Sequence, residues 1–300
     1  MKIVLAGCGL IGHNVVSKLL EIYDDVYIIN QSKIFPERYA MFSKSPTQVF
    51  IRRTEVFDYV IDDVDALFYF ASITDAKLGP KHMDIISNDM LVGTKNLIER
   101  IKPKHFIYAS SSMAYGEFNG KSPSEITLKS PIEPYGMLKS ISEETVKFYC
   151  QQNDINYTIV RPSAVYGPRA TYKNVIDHFI INAMNDKPLI LHGDHTLDFT
   201  HAEDVADGVI SMLNNEKAIN QTFNMTAGRA RSLTEAANIV IDVVGKGEYI
   251  LEDHNEFYPK RGALDISKAK LLLGYEPAYD LETGIFKYVE YLKSKNITKW

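Results

Sequence analysis

Residues 2–12 read KIVLAGCGLIG. A short apolar run ends in Gly7, Gly9 and Gly12, and helix-like apolar spacing follows. This is G-x-G-x-x-G between a strand and a helix. The first glycine permits the tight turn, the second lets a pyrophosphate approach the backbone, and the third lets helix and strand pack closely. The N–H groups at the helix start, from Leu10 and Ile11, then face the phosphates. Three glycines alone are a weak signal, and their place at the first strand–helix turn makes it a strong one. "LAGC" at 5–8 also resembles a lipoprotein cleavage box. Too few residues precede Cys8 for a signal peptide's charged start and apolar run, so a buried first strand is the better reading.

Outward from this loop, apolar runs alternate with amphipathic segments. "DVYIIN" (25–30), "TQVFIR" (47–52), "DALFYFAS" (65–72), "KHFIYASS" (104–111) and "NYTIVRP" (156–162) read as strands. Segments 11–22, 84–101 and 134–153 read as helices, and the polar stretch 31–47 as irregular. Near-continuous apolar strands separated by helices argue for a parallel sheet covered on both faces. The expected fold class is α/β: a Rossmann-type doubly wound parallel sheet over 1–165. After residue 165 the pattern loosens. Helices are expected at 172–186, 204–214, 232–244, 266–273 and 281–295, with short strands near 189–192, 220–224 and 248–252. Ser232 and Glu235 match a capping box. Residues 166–300 are expected to form mainly a smaller substrate-binding cap, with segments around 190–224 returning to the first domain.

The 300 residues are 45% apolar, ample for a packed core, and carry a formal net charge of −5. No Lys/Arg block supports a nucleic-acid or membrane-surface partner. No apolar stretch is long enough to span a bilayer. Two cysteines, Cys8 and Cys150, make no disulfide framework, which fits a reduced, cytoplasmic setting. His192, His195 and His201 lie close in sequence, yet "LHGDH" reads as a plain strand and turn, so no metal is expected. No G-x-S-x-G occurs, so a hydrolase nucleophile elbow is absent.

"YGMLK" (135–139) pairs Tyr135 with Lys139 four residues on. Spacing alone decides little, because Tyr291 and Lys295 repeat it on the polar C-terminal helix. Context separates the two. Pro134 is a favoured first-turn residue. Residues four apart share one helix face. A free tyrosine titrates near 10, and a neighbouring ammonium favours the phenolate. Such a tyrosine is a usable proton donor and acceptor. Upstream, "HFIYASSSMAYG" ends a strand in Ser110, Ser111 and Ser112, where a hydroxyl can meet a substrate oxygen.

With these segments in place, the chain resembles the extended short-chain dehydrogenase/reductase family: nucleotide-sugar epimerases, dehydratases and ketoreductases. "AGCGLIG" is similar to the family's glycine loop, with Ala6 in place of a usual glycine. "SSSMAYG" resembles the segment bearing the catalytic Ser/Thr, which selects Ser111. "YGMLK" matches its Tyr-x-x-x-Lys pair. Asn88 and Asn96 in "SNDMLVGTKNL", then "RPSAVYGPR", "DFTHAEDVADGV" and "LDISKAKLLLGYEP", match later family segments in order.

The resemblance implies that Ser111, Tyr135 and Lys139 carry the chemistry. Tyr135 exchanges the hydroxyl proton, Lys139 holds the nicotinamide ribose, and Ser111 hydrogen-bonds the sugar oxygen. It implies cofactor contacts along Gly7, Gly9, Leu10, Ile11 and Gly12, with Ala71, Asn88 and Lys139. After the second strand come Asn30, Ser32 and Lys33 instead of an acid, which favours NADP(H) over NAD(H). Substrate contacts fall on Ser112, Met113, Asn174 and Arg261. Leu197 stands where relatives carry an arginine for the nucleotide phosphates, and Arg261 is the candidate to replace it. Ser112 and Met113 stand where 4,6-dehydratases carry Asp-Glu, which argues against water elimination. The expected activity is C4 ketoreduction of a nucleotide 4-keto-6-deoxyhexose. The alternative is a 4-epimerase with tightly bound NAD. A non-catalytic dinucleotide sensor is a remote third, since such relatives lose the Tyr/Lys pair. A homodimer built on helices 84–101 and 134–153 is implied, with Ile85, Leu91, Val92, Ile141, Val146 and Phe148 as its apolar residues.

Overall fold

The computed structural model describes residues 1–30, 46–50, 61–71, 84, 87–169, 174–253 and 260–297. The first half builds β1 (Ile3–Ala6), α1 (Leu10–Ile22), β2 (Val26–Asn30), β3 (Thr47–Phe50) and β4 (Ala66–Tyr69). A π-helical turn (Asn88–Val92) leads into α2 (Gly93–Ile101), then β5 (His105–Ala109), α3 (Pro134–Gln152), β6 (Asn156–Arg161) and β7 (Val165–Tyr166). The second half continues with α4 (Val175–Met184), β8 (Leu189–His192), β9 (Thr196–Leu197), β10 (Thr200–His201), α5 (Ala202–Ile210) and β11 (Gln221–Asn224). It closes with β12 (Arg231–Ser232), α6 (Leu233–Val244), β13 (Tyr249–Glu252), α7 (Ser267–Leu273) and α8 (Leu281–Ser294).

Seven strands form one sheet in the order β3-β2-β1-β4-β5-β6-β11. Every neighbouring pair is parallel. The chain winds outward from β1 to β3, then restarts on the other side of β1 with β4. The switch point, where such sheets open a ligand crevice, lies between the C-terminal ends of β1 and β4.

Alternation along each strand decides which layer a residue joins. Ile3 and Leu5 pack with Val15, Val16 and Leu19 of α1 and Val205 and Val209 of α5. Val4 and Ala6 pack on the opposite face with Leu97 and Ile98 of α2 and Val146 of α3. Both faces are therefore dry, as the apolar strand runs required. A third core joins α4, α6 and α8 through Phe179, Ile180, Ala237, Val240, Ile285 and Tyr288. Ser232 and Glu235 complete the capping box at the start of α6.

Three sequence expectations shift. Segment 190–224 returns to the sheet only from α5 onward. β8 instead pairs with β13, and β9 with β12. The strand expected at 65–72 ends at Tyr69, because the N–H groups of Phe70 and Ala71 both turn onto the Ala6 carbonyl at 2.8 Å. The helix expected over 84–101 opens into a π turn, with the Gly93 N–H bonded to the Asn88 carbonyl. Thr94 donates its hydroxyl to the Met90 carbonyl four residues back. Ser142 of α3 also approaches that oxygen, at 3.4 Å, which helps hold the widened turn. Ile85 lies outside the described residues, and Val146 faces its own core.

Candidate active site

At the β1/β4 switch point the site is made of backbone. Gly7 sits at φ +97°, and a Cβ there would lie 2.2 Å from the Ala71 nitrogen. A Cβ on Gly12 would lie 2.2 Å from the Gly7 carbonyl oxygen. Any side chain at either position would collide with main chain. Gly9 is the N-cap of α1, with no side-chain cap and no acid in the first turn. The helix thus presents its first N–H groups, Leu10 and Ile11 among them, to whatever fills the cradle. This geometry fits the pyrophosphate of a dinucleotide. Ala71 lines the cradle, and Asn88 is exposed at the start of the π turn. Asn30 ends β2. Ser32 and Lys33, which carry much of the NADP(H) expectation, lie outside the described residues.

One strand over, past β5, the site is made of side chains. Ser111 is extended and caps a 3-10 turn (Ser112–Tyr115), its hydroxyl accepting from the Met113 N–H at 3.2 Å. Its own O–H remains able to donate elsewhere. α3 begins with Glu133 as N-cap and Pro134 in the first turn. Gly136 lets this end press on the serine turn: a Cβ there would lie 2.4 Å from the Met113 carbonyl oxygen. Tyr135, beside Gly136 at this pressed end of α3, is half-buried.

Lys139 is only 2% exposed. Its Nζ donates to the Ala109 carbonyl at 2.6 Å. It lies 5.0 Å from the Tyr108 ring centroid and 5.8 Å from that of Tyr135. Burial pulls its ammonium down to about 7, with the Glu143 charge opposing. From sequence this lysine reads as a fixed cation. In the folded protein its charge is conditional near neutrality, and an added anion would restore it.

Beneath the pair runs a buried ionic network. Arg161 of β6 donates to both Glu143 oxygens, at 2.8 and 2.6 Å. Ser110 donates to Glu143 at 2.5 Å and Lys129 at 2.9 Å. Burial works to raise the Glu143 carboxyl, but Arg161 above all, with Lys129 and Ser110, brings it down to about 2. Arg161 also reaches the Tyr115 hydroxyl at 2.7 Å, which donates to Asn224 at 2.8 Å. This network clamps β5, α3, β6 and β11 together. Sequence reasoning singles out none of Glu143, Arg161 or Asn224 as a contributor to the site. Glu143 had a signal, standing four residues after Lys139 on the same helix face.

The expected substrate residues divide. Arg261 is half-buried, and its Nη1 lies 3.4 Å from the Ser112 hydroxyl. Burial pulls its guanidinium below the usual range, with Glu133's charge opposing. Met113 and Ser112 are buried in the serine turn. Asn174 completes the capping box of α4 with Asp177 and donates to the Val165 carbonyl at 3.0 Å. Leu197 is buried in the cap core. Among the described residues no His, Cys, Asp or Glu group is placed to hold a metal. His192 pairs with Glu252 at 2.9 Å, and the His201 ring meets Tyr166 edge-on and lies 4.2 Å from the Tyr279 ring. No described helix is long and apolar enough to cross a membrane.

The chain matches the model of the NAD dependent epimerase/dehydratase family over residues 3–226. It is 31% identical over 315 residues to a putative UDP-glucose 4-epimerase of Methanocaldococcus jannaschii, covering 99% of this chain and 100% of that protein. It is 31% identical over 242 residues to an uncharacterized UDP-glucose epimerase of Bacillus subtilis, covering 78% and 76%. The solved UDP-glucuronic acid 4-epimerase of Bacillus cereus, in complex with UDP-glucuronic acid and NAD, is similar at TM-score 0.86 and 27% identity, over 98% and 100% of the two chains. The matched span contains the glycine cradle, the serine turn and the Tyr135/Lys139 pair, and the chain belongs to the NAD-dependent epimerase/dehydratase family of extended short-chain dehydrogenases/reductases.

Proposed function

We propose that the protein is a nucleotide-sugar 4-epimerase that works with bound NAD. The observation that carries this reading is the Tyr135/Lys139 pair on α3, a helix that Gly136 lets press on the serine turn, in a chain that also carries the glycine cradle before α1. The relatives named above favour epimerisation over the ketoreductase expectation. The family is NAD-dependent by description, which favours NAD over NADP(H). Gly7, Gly9 and Gly12 with the first N–H groups of α1 would hold the pyrophosphate, and Lys139 the nicotinamide ribose. When bound, NAD supplies reversible hydride exchange with the sugar carbon.

The chain's residues do the rest. Tyr135 takes the C4 hydroxyl proton as the carbon is oxidised and returns one when it is reduced on the other face. Ser111 donates its O–H to the same oxygen, where charge develops. Lys139 lends positive charge beside the Tyr135 ring. Arg261, close to Ser112, takes the substrate diphosphate in place of the arginine that Leu197 lacks. The protein is incubated with UDP-glucose while the C4 epimer and the reduced-nicotinamide absorbance are followed. Interconversion with no net cofactor consumption supports the reading. Stoichiometric loss of added NADPH with a 4-keto-6-deoxy nucleotide sugar would replace it with the ketoreductase.

The active species is a homodimer formed on α2 and α3. Met137, Ile141 and Phe148 are 40–56% exposed on the outer side of α3, and Val92 is 40% exposed beside them. A monomer by light scattering at micromolar concentration would remove this assembly.

A further inference from the structure

We infer that Glu133 is a specificity-determining residue of this site, favouring a neutral, hydroxyl-rich hexose over a hexuronic acid. The inference rests on the nucleotide-sugar reading above. Glu133 stands two residues before Tyr135, at the N-cap of α3. Glutamate is not among the favoured N-caps, and this one makes no capping bond from its side chain. Both carboxylate oxygens are buried, yet neither has a hydrogen-bond partner on another described residue. A buried carboxylate matched by no more than its own backbone N–H is costly to a fold, and no task among the described residues accounts for it.

Its surroundings point to a ligand. The charge acting on it is that of Arg261, whose Nη1 is near Ser112 and whose Nε is also buried without a partner. Burial raises the Glu133 carboxyl, with Arg261 and the residue's own backbone N–H opposing. Glu133 as a carboxylate is an acceptor-only group, and Arg261, whose charge acts on it, is a donor-only group. A sugar hydroxyl can donate to one and accept from the other. A C6 carboxylate can only accept, so it offers Glu133 nothing and repels it. Once a diphosphate draws on Arg261, that repulsion loses its nearest compensation. UDP-glucose and UDP-glucuronic acid differ at C6 in this property alone.

Binding of these two nucleotide sugars to the NAD-loaded protein is measured by titration calorimetry for the parent, Glu133→Gln and Glu133→Ser. The parent should prefer UDP-glucose by at least about tenfold, and both variants should erode that preference by a factor on the order of ten, chiefly by gaining affinity for the uronic acid. Thermal melts should show both variants folded, which separates lost discrimination from lost structure. Equal affinities in the parent, an unmoved preference in the variants, or variants that fail to fold would each overturn the assignment. Failure of the epimerase reading looks different: discrimination that shifts as expected, without interconversion of C4 epimers.

Discussion

The crevice has two halves built from different materials. Along β1 and β4 the working surface is main chain: Gly7 at φ +97°, Gly12 against the Gly7 carbonyl, and the N–H groups after Gly9. Along β5 and β6 it is side chains: Ser111, Tyr135 and Lys139 over the Glu143–Arg161 network. A backbone cradle has no titratable group and reads shape and phosphate. The side-chain half must hold charges out of water, so each needs partners from other strands. On the proposed function, binding and proton handling are separable by mutation, and their pH responses differ in origin.

The largest effect should come from Tyr135→Phe. Removing the phenolic hydroxyl should lower turnover by about two to four orders of magnitude, as for a lost general acid/base. Cofactor affinity by fluorescence titration should stay within about threefold, because the cradle lies on other strands. A comparable loss of cofactor binding would show that the two halves are not independent.

Arg161→Met tests the foundation of the side-chain half. Breaking a buried ion pair from one side costs about 3–5 kcal/mol, and Glu143 would be left with Lys129 and Ser110 alone. The expected readout is a large fall in the urea midpoint with an unchanged cradle. The pH response follows from Glu143, held down at about 2. A carboxyl depressed in the folded state stabilises fully above its unfolded value and loses that stabilisation as pH falls towards the folded one. The parent should therefore lose about 3 kcal/mol between pH 4.5 and 2 from this residue, and Arg161→Met should lose much less.

This contrast also governs what the sequence can tell. Glycines in the cradle leave a trace because nothing else fits, so Gly7, Gly9 and Gly12 are legible at once. Tyr135 and Lys139 are legible because one helix carries both. Glu143 and Arg161 are not, since their meeting depends on β6 lying beside β5, a long-range fact. Glu133 escapes notice because a Glu before Pro-Tyr reads as a solvated helix start, and only its burial shows otherwise. Asn174 reads as a ligand contact from family pattern alone, and its capping of α4 is a second task that the pattern does not show. The strand at 189–192 is correctly placed along the chain but not in its neighbour, because apolar alternation does not say which edge a strand joins.

A smaller effect separates opposed buried groups. Burial holds His105 and His201 down at about 4, so their contribution is full above pH 6.5 and lost as pH falls towards 4. Burial raises Asp177, Asp198 and Asp204 to about 6, so theirs is present at low pH and lost as pH rises towards 6. Each tenfold change in proton affinity on folding is worth about 1.4 kcal/mol, so the two sets come to similar totals. The parent's urea midpoint should change little between pH 6.5 and 4.5. His201→Gln removes one member of the first set, so its stability relative to the parent should rise by about 2 kcal/mol on acidification across that window. A parallel pair of profiles would show that His201 is already charged in the fold.

The smallest effect compares Gly7 with Ala164. Both lie just beyond a sheet strand with positive φ, +97° at Gly7 and +38° at Ala164. The cradle meets that demand with glycine. Beyond β6 an alanine meets it, at a cost of about 1–2 kcal/mol for a Cβ in the left-handed region. Its methyl is partly buried against the core of α4 and α8, which returns roughly 0.8 kcal/mol. Glycine would also cost about 0.4–1 kcal/mol through a freer unfolded chain. These terms nearly cancel, and the strain is the largest of them. Ala164→Gly should therefore raise stability slightly, by about 0.5 kcal/mol or less, seen as a melting shift of about 1–2 °C. A fall of several degrees would mean that the methyl contact, not the strain, governs this turn.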